Sequence, residues 1–135
     1  MGRSWCARLS VLLWLVALHS LVVGLGLVLV PPETMQRFGY GAYQERFFSV
    51  QAGVFHFVLV VAYALAAARP RRFPGLLALS VAAKLMATAF LVLYFLFADR
   101  IWVVLLSGIG DFAMGVAILW FWMACRREMG RPAAG

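Results

Sequence analysis

The chain has 135 residues, of which 65% are hydrophobic and only 13% are charged. Soluble domains carry about 25% charged residues, so this composition indicates a membrane protein. The formal net charge of +7 would suit a nucleic-acid-binding protein, but the basic residues flank apolar runs instead of forming a soluble basic surface. Nucleic acid is therefore not expected as a partner, and the lipid bilayer is the expected surrounding.

Four apolar runs follow one another along the chain, at residues 9–30, 48–68, 74–97 and 101–124. Each has about the 20 residues that a helix needs to cross a hydrocarbon core of roughly 30 Å. The first run is too long for a signal peptide and is expected to remain as a span. The sequence thus predicts an all-α, polytopic membrane protein: one domain over residues 1–135, folded as an antiparallel four-transmembrane-helix bundle whose spans pack through small residues.

The loop between the first two spans, residues 31–47, is richer than a plain connector. After two prolines, the stretch from Glu33 to Phe38 predicts a short interfacial helix, with Glu33 and Arg37 paired at i,i+4. Gly39 and Gly41 are expected to end it. The loop also carries aromatic residues suited to a membrane–water boundary, namely Phe38, Tyr40, Tyr43, Phe47 and Phe48. We interpret it as an interfacial cap; a substrate-gating or partner-docking lid is the alternative.

Basic residues mark one side of the predicted bundle. That side carries Arg3, Arg8, Arg69, Arg71, Arg72, Arg126, Arg127 and Arg131, whereas the other has only Arg37, Arg46 and Arg100. By the positive-inside rule both termini are expected to be cytoplasmic. The two cysteines, Cys6 and Cys125, then lie near the cytoplasmic edge, where thiols stay reduced, and no structural disulfide is expected.

Four ionisable residues fall near the middle of the four spans. Counting 1.5 Å per helical residue places His19, His56, Lys84 and Asp111 in one layer, with one residue on each helix. A charge at that depth costs roughly 2.5–3.5 kcal/mol, so these side chains are expected to face inward. Secondary candidates are Gln51, nearer the outer side, and the loop residues Glu33 and Arg37.

Lys84 and Asp111 are the obvious pair in this layer, because opposite charges offset part of each other's desolvation. However, helical side chains lean towards the helix N-terminus, so in antiparallel neighbours these two lean apart. The alternative is that Lys84 extends towards the inner headgroups.

Several interpretations of the layer remain open. A buried polar network that fixes helix register is favoured, ahead of a proton or small-solute pathway and a small-molecule pocket. Haem ligation by His19 and His56 is a weaker option. No metal site is expected, because no helix carries a paired ligand set at i,i+3 or i,i+4. No catalytic motif is present in the sequence, and no cofactor is predicted.

Short motifs spread over most of the chain resemble the DoxX-like group of small bacterial four-helix membrane proteins. They are Pro32-Glu33 with Arg37-Phe38-Gly39, Gly53 with Tyr63 and Arg69-Pro70, Ala83-Lys84-Leu85, and Gly110-Asp111-Phe112. The resemblance implies a four-helix fold in the inner (plasma) membrane of a bacterium, and it supplies no catalytic residues that can be transferred to this chain. The leading hypothesis is a non-enzymatic accessory or interaction subunit, bound to another membrane protein or to copies of itself. A small oligomeric transporter or channel that uses the layer is the alternative, and a membrane redox subunit with haem or quinone is the second alternative.

Overall fold

The computed structural model describes residues 4–40 and 46–130, which contain five helices and no strand. Four of the helices are long and apolar enough to cross a membrane, and the short α2 is the exception. The predicted all-α architecture is confirmed. The helices are α1 (Trp5–Leu29), α2 (Pro32–Arg37), α3 (Phe47–Ala68), α4 (Pro74–Phe97) and α5 (Trp102–Met129).

Helix boundaries follow local chemistry. Ser4 caps α1 by accepting a hydrogen bond from the Ala7 backbone N–H. Pro32 and Pro74 stand at the first position of α2 and α4, where the missing N–H is not needed. After α2 the backbone turns at Gly39, whose φ of +92° suits glycine.

The short α2 forms as predicted, but its predicted ion pair does not. Glu33 and Arg37 are both exposed, and no ion pair joins them in the structure. Both side chains are free to be solvated, and an exposed i,i+4 pair gains only a few tenths of a kcal/mol, roughly. Two loop residues named in the sequence analysis, Gly41 and Tyr43, lie outside the described residues.

The spans form two hairpins that pack against each other. Hairpin A consists of α1 and α3, and hairpin B consists of α4 and α5. The hairpins meet where α1 contacts α5 and where α3 contacts α4, so the four spans form a closed ring.

Glycines allow the close approach inside each hairpin. A Cβ atom on Gly53 would lie 2.8 Å from the Gly24 carbonyl oxygen, so the α1 and α3 backbones touch there. In hairpin B, a Cβ atom on Gly108 would lie 3.3 Å from the Leu91 Cβ, and one on Gly115 would lie 3.2 Å from the Lys84 Cβ. Such contacts carry helix association in lipid, where no hydrophobic drive exists between helices.

Packing between the hairpins is uneven along the bundle. We call the end that carries the α1 N-terminus, the α3–α4 loop and the α5 C-terminus the basic end, and the end that carries α2 the far end. The basic half holds a continuous hydrophobic core of Cys6, Leu9, Leu13, Val16, Ala17, Tyr63, Ala66, Ala67, Leu77, Val81, Ile118 and Cys125. Beyond Ser20, Lys84 and Asp111, the described residues that are buried are few: Gly24, Gly53, Ile101, Val104 and Gly108.

A disulfide between Cys6 and Cys125 joins α1 to α5 at the basic end, so the expectation of free thiols was wrong. The two Cα atoms are 4.7 Å apart, within the range that a disulfide spans. The prediction rested on the redox compartment alone, whereas the fold brings the first turn of α1 beside the last turns of α5.

Candidate functional site

Lys84 and Asp111 form an ion pair inside hairpin B. The Lys84 Nζ donates a hydrogen bond to the Asp111 Oδ1 at 2.5 Å, and the two residues are 3% and 8% exposed. The Lys84 Cβ packs against Gly115, one helical turn from Asp111. The four-carbon side chain spans the roughly 6 Å of that turn. Extension of Lys84 towards the headgroups, the alternative considered from the sequence, is therefore wrong.

Neighbouring polar atoms are partly satisfied around this pair. The Thr88 hydroxyl lies 2.8 Å from the Lys84 carbonyl oxygen and 3.3 Å from that of Gly108, and it donates to them. The Lys84 Nζ lies 5.8 Å from the centroid of the Tyr63 ring, a cation–π distance. Tyr63 is fully buried, and its hydroxyl has no hydrogen-bond partner within the described residues.

His56 faces inward, as predicted, and its partner lies on α1. The Ser20 Oγ lies 2.9 Å from the His56 Nδ1, and Ser20 is fully buried. This hydrogen bond lies next to the Gly24–Gly53 contact and adds to the closure of hairpin A. His56 is also close enough to Lys84 and Asp111 for their charges to interact.

His19 does not face inward, which contradicts the prediction. Its side chain is exposed, as is that of Gln51 on α3. The layer therefore consists of a buried ion pair in hairpin B, a hydrogen bond in hairpin A and an exposed imidazole on α1, and this imidazole is still close enough to Lys84, Asp111 and His56 for their charges to interact.

Trp5 on α1 contacts Glu128 and Phe121 on α5, and His19 lies two heptads further along the same face of α1. We call the line of contact between α1 and α5, with its continuation towards the far end, the α1–α5 groove. Residues at a spacing of seven lie on one face of a helix, and the groove follows two such series. They are Trp5, Leu12, His19 and Gly26 on α1, and Glu128, Phe121, Met114 and Ser107 on α5.

The groove is closed in the basic half. The Trp5 backbone N–H donates to the Glu128 Oε2 at 2.8 Å, and the Trp5 ring lies 5.9 Å from that of Phe121. Leu12 and Met114 pack against the core.

The same groove is open in the far half. His19 and Ser107 are exposed, and a Cβ atom added to Gly26 or Gly110 would meet nothing within 4 Å. This opening was not predicted from the sequence, although the seven-residue spacing of Trp5, Leu12, His19 and Gly26 could have indicated it.

The arrangement does not suit haem held between His19 and His56. His56 is hydrogen-bonded to Ser20 whereas His19 is exposed, and the α1 and α3 backbones touch about one turn away, at Gly24 and Gly53, so no space for a haem is left between the two helices. Within the described residues, no group of three or more His, Cys, Asp or Glu side chains could hold a metal ion.

A cavity of about 120 Å³ beside Met35 and Tyr40 is smaller than the roughly 300 Å³ of typical ligand sites. Burial there raises the pKa of the Tyr40 phenol.

The fold and these contacts define a small multi-pass membrane protein with four spans. No family model matches the chain, and neither the curated proteins nor the solved structures include one that matches it. The resemblance to the DoxX-like group therefore stays a prediction.

Proposed function

We propose that this protein is a non-enzymatic interaction subunit, and that the far half of the α1–α5 groove receives a transmembrane helix of a partner membrane protein. The observation that carries the proposal is the exposed imidazole of His19 at mid-depth, on the same helix face as Gly26. Gly110 lies about one turn from Ser107 and from Met114 on α5, and a Cβ atom added there, as at Gly26, would meet nothing within 4 Å.

Two features that are unfavourable in the absence of a partner support a helix as the occupant of the groove. A polar imidazole that faces hydrocarbon lacks the hydrogen bonds it would have in water. Unoccupied glycine faces also forgo the close backbone contact for which membrane helices use small residues. A partner helix could satisfy both, whereas a lipid tail offers His19 no hydrogen bond.

The other members of the polar layer support a structural role. Lys84 is neutralised by Asp111 within one chain, and Ser20 is the partner of His56. Each of these interactions joins the two helices of one hairpin. The groove between the hairpins is then the surface that remains for association.

Gly110→Leu tests the proposal, because it adds a bulky side chain to the groove at a position where a Cβ atom would meet nothing within 4 Å. Tagged wild-type and variant proteins are purified from native membranes, and copurifying proteins and Tm are compared. We expect Gly110→Leu to lose at least tenfold of one copurifying membrane protein, with Tm unchanged. Gly75→Leu is the matched control, since Gly75 also has an unoccupied face but lies on α4 at the basic end. Equal recovery from both variants would contradict the proposal.

A transport function is the second candidate, because the Asp111 carboxylate is not completely buried. Its side chain is 11% exposed, and among the described residues only its Oδ1 has a partner. Proton flux into vesicles that contain the wild-type protein, above the flux into protein-free vesicles, would support this function. Equal flux would exclude proton transport by this chain alone.

A further inference from the structure

An open cavity lies at the basic end, on the side of α1 that faces α3. Its volume is about 410 Å³, and it is formed by the first turns of α1, the last turn of α3 and the loop that follows α3. The walls include Ala7 and Ser10, and the rim carries Arg69, Arg71 and Arg72. The size suits a headgroup-sized ligand.

The positive charge at the rim is not compensated. All three arginine side chains are exposed, and none takes part in an ion pair with another described residue. The nearby acidic residue Glu128 already accepts a hydrogen bond from the N-terminus of α1. Helix α4 begins directly after the rim, without a side-chain cap, so the positive end of its dipole adds to the same field.

The floor of the cavity is apolar. It includes Ala67 and Ala68, and the Ser10 hydroxyl is already used in a 2.6 Å hydrogen bond to the Ala67 carbonyl oxygen. A ligand would thus meet cationic donors at the rim and hydrocarbon surface below.

Aromatic residues place this rim at a membrane boundary. The Arg8 guanidinium lies 4.6 Å from the centroid of the Trp5 ring. The Arg72 guanidinium lies 5.7 Å from the centroid of the Phe73 ring. Tryptophan and arginine side chains arranged in this way are typical of the headgroup level.

We propose that this cavity binds the phosphate headgroup of an anionic phospholipid from the adjoining leaflet. Arg69, Arg71 and Arg72 hold the phosphate, and the alanine floor receives the first carbons of the lipid. Basic pockets between membrane helices bind phosphate headgroups by the same chemistry. The site is separate from the α1–α5 groove, so it does not depend on the proposed partner.

Native mass spectrometry of the delipidated protein in neutral detergent tests the site. The protein is titrated separately with phosphatidylglycerol, phosphatidylcholine and inorganic phosphate, and bound molecules are counted. We expect one tightly retained phosphatidylglycerol, with about tenfold weaker retention of phosphatidylcholine and no retained phosphate ion. Retention of inorganic phosphate that competes with the lipid would contradict a lipid site and indicate a phosphate-ion site. Equal retention of the two lipids would contradict recognition of anionic headgroups.

Two variants separate a built site from general attraction to basic residues. Ala7→Phe fills the cavity and leaves every charge in place, and it is expected to lower phosphatidylglycerol retention about tenfold. The double variant Arg126→Gln/Arg127→Gln removes two charges at the same end but outside the cavity, and it is expected to retain the lipid. Unchanged retention by Ala7→Phe, or equal loss from both variants, would overturn the proposal. Unchanged Tm for both shows that the comparison concerns folded protein.

Discussion

The two halves of this bundle are built from the same apolar helices and yet are packed differently. In the basic half, the hairpins share a core, a disulfide between α1 and α5, and the hydrogen bond from the Trp5 backbone to Glu128. In the far half, close contact is found within hairpin A at Gly53 and within hairpin B at Gly108. In the α1–α5 groove, by contrast, a Cβ atom added to Gly26 or Gly110 would meet nothing within 4 Å.

Hydropathy and packing are therefore separate properties of a membrane helix. Lipid is as apolar as leucine, so apolar side chains alone do not bring helices together. Small residues, polar pairs and covalent links decide where helices touch. The open half is the surface that we propose for association, and the closed half holds the two hairpins together.

The largest expected effect comes from breaking the ion pair at the boundary of the two halves. Lys84→Met or Asp111→Asn leaves the other charge buried without a partner, at a cost of about 3–5 kcal/mol. We expect each single variant to show much lower Tm and yield, and the double variant to be milder than either one. A double variant whose loss equals the sum of the single losses would show that the two residues do not interact.

Removing the disulfide should weaken the closed half specifically. Cys6→Ser or Cys125→Ser is expected to lower the free energy of unfolding by about 2 kcal/mol. The bilayer already restrains the helices, so the loss should stay near the low end for disulfides. Thermal unfolding with and without reductant measures it. A wild-type protein whose Tm is insensitive to reductant, with both thiols free to react, would contradict the cross-link.

A matched pair of glycine variants compares a closed contact with the open groove. At Gly53, an added Cβ atom would meet the Gly24 carbonyl oxygen at 2.8 Å, so Gly53→Ala is expected to cost about 1–2 kcal/mol. At Gly110 nothing lies within 4 Å, so Gly110→Ala should be neutral or slightly stabilising, because alanine favours a helix. Urea or SDS unfolding of both variants gives the difference, and equal losses would contradict the uneven packing.

The smallest expected effect concerns the core of the closed half. The Tyr63 hydroxyl is buried without a partner, so Tyr63→Phe removes an unsatisfied group and should leave Tm within a few degrees of wild type or raise it. A loss above about 1 kcal/mol would instead indicate a hydrogen bond made through a buried water.

Much of the fold could be predicted from the sequence, because the hydropathy of each span is local. The predicted spans differ from the helices mainly at the two ends that carry Trp5 and Arg126, where interfacial side chains lengthen α1 and α5 beyond the apolar runs. Partners between helices could not be predicted with the same success. Lys84 and Asp111 were expected to lean apart because helical side chains lean towards the helix N-terminus. They pair because the Lys84 side chain is long enough to pass Gly115, which has no side chain of its own, and reach Asp111. The inward placement of His19 was wrong because the hydropathy of a span does not show which of its faces meets a neighbouring helix.

The disulfide and the arginines at the basic end favour opposite sides of the membrane. Charge distribution predicts a cytoplasmic basic end, whereas disulfides persist mainly in oxidising compartments. We retain the prediction from the charges and expect a reporter fused after Gly135 to be active only in the cytoplasm. Activity on the opposite side would reverse the orientation and agree with the disulfide.

The central claim is that the far half of the α1–α5 groove is covered by a partner helix, and site-specific photo-crosslinking in native membranes tests it most directly. A benzoylphenylalanine is placed at Ser107 in the groove or, as control, at Leu93, which is exposed at similar depth on α4. We predict a cross-linked protein band of defined mass from position 107 and none from position 93. A band of twice the chain mass would identify a second copy as the partner. Cross-links to lipid alone at both positions would contradict the claim.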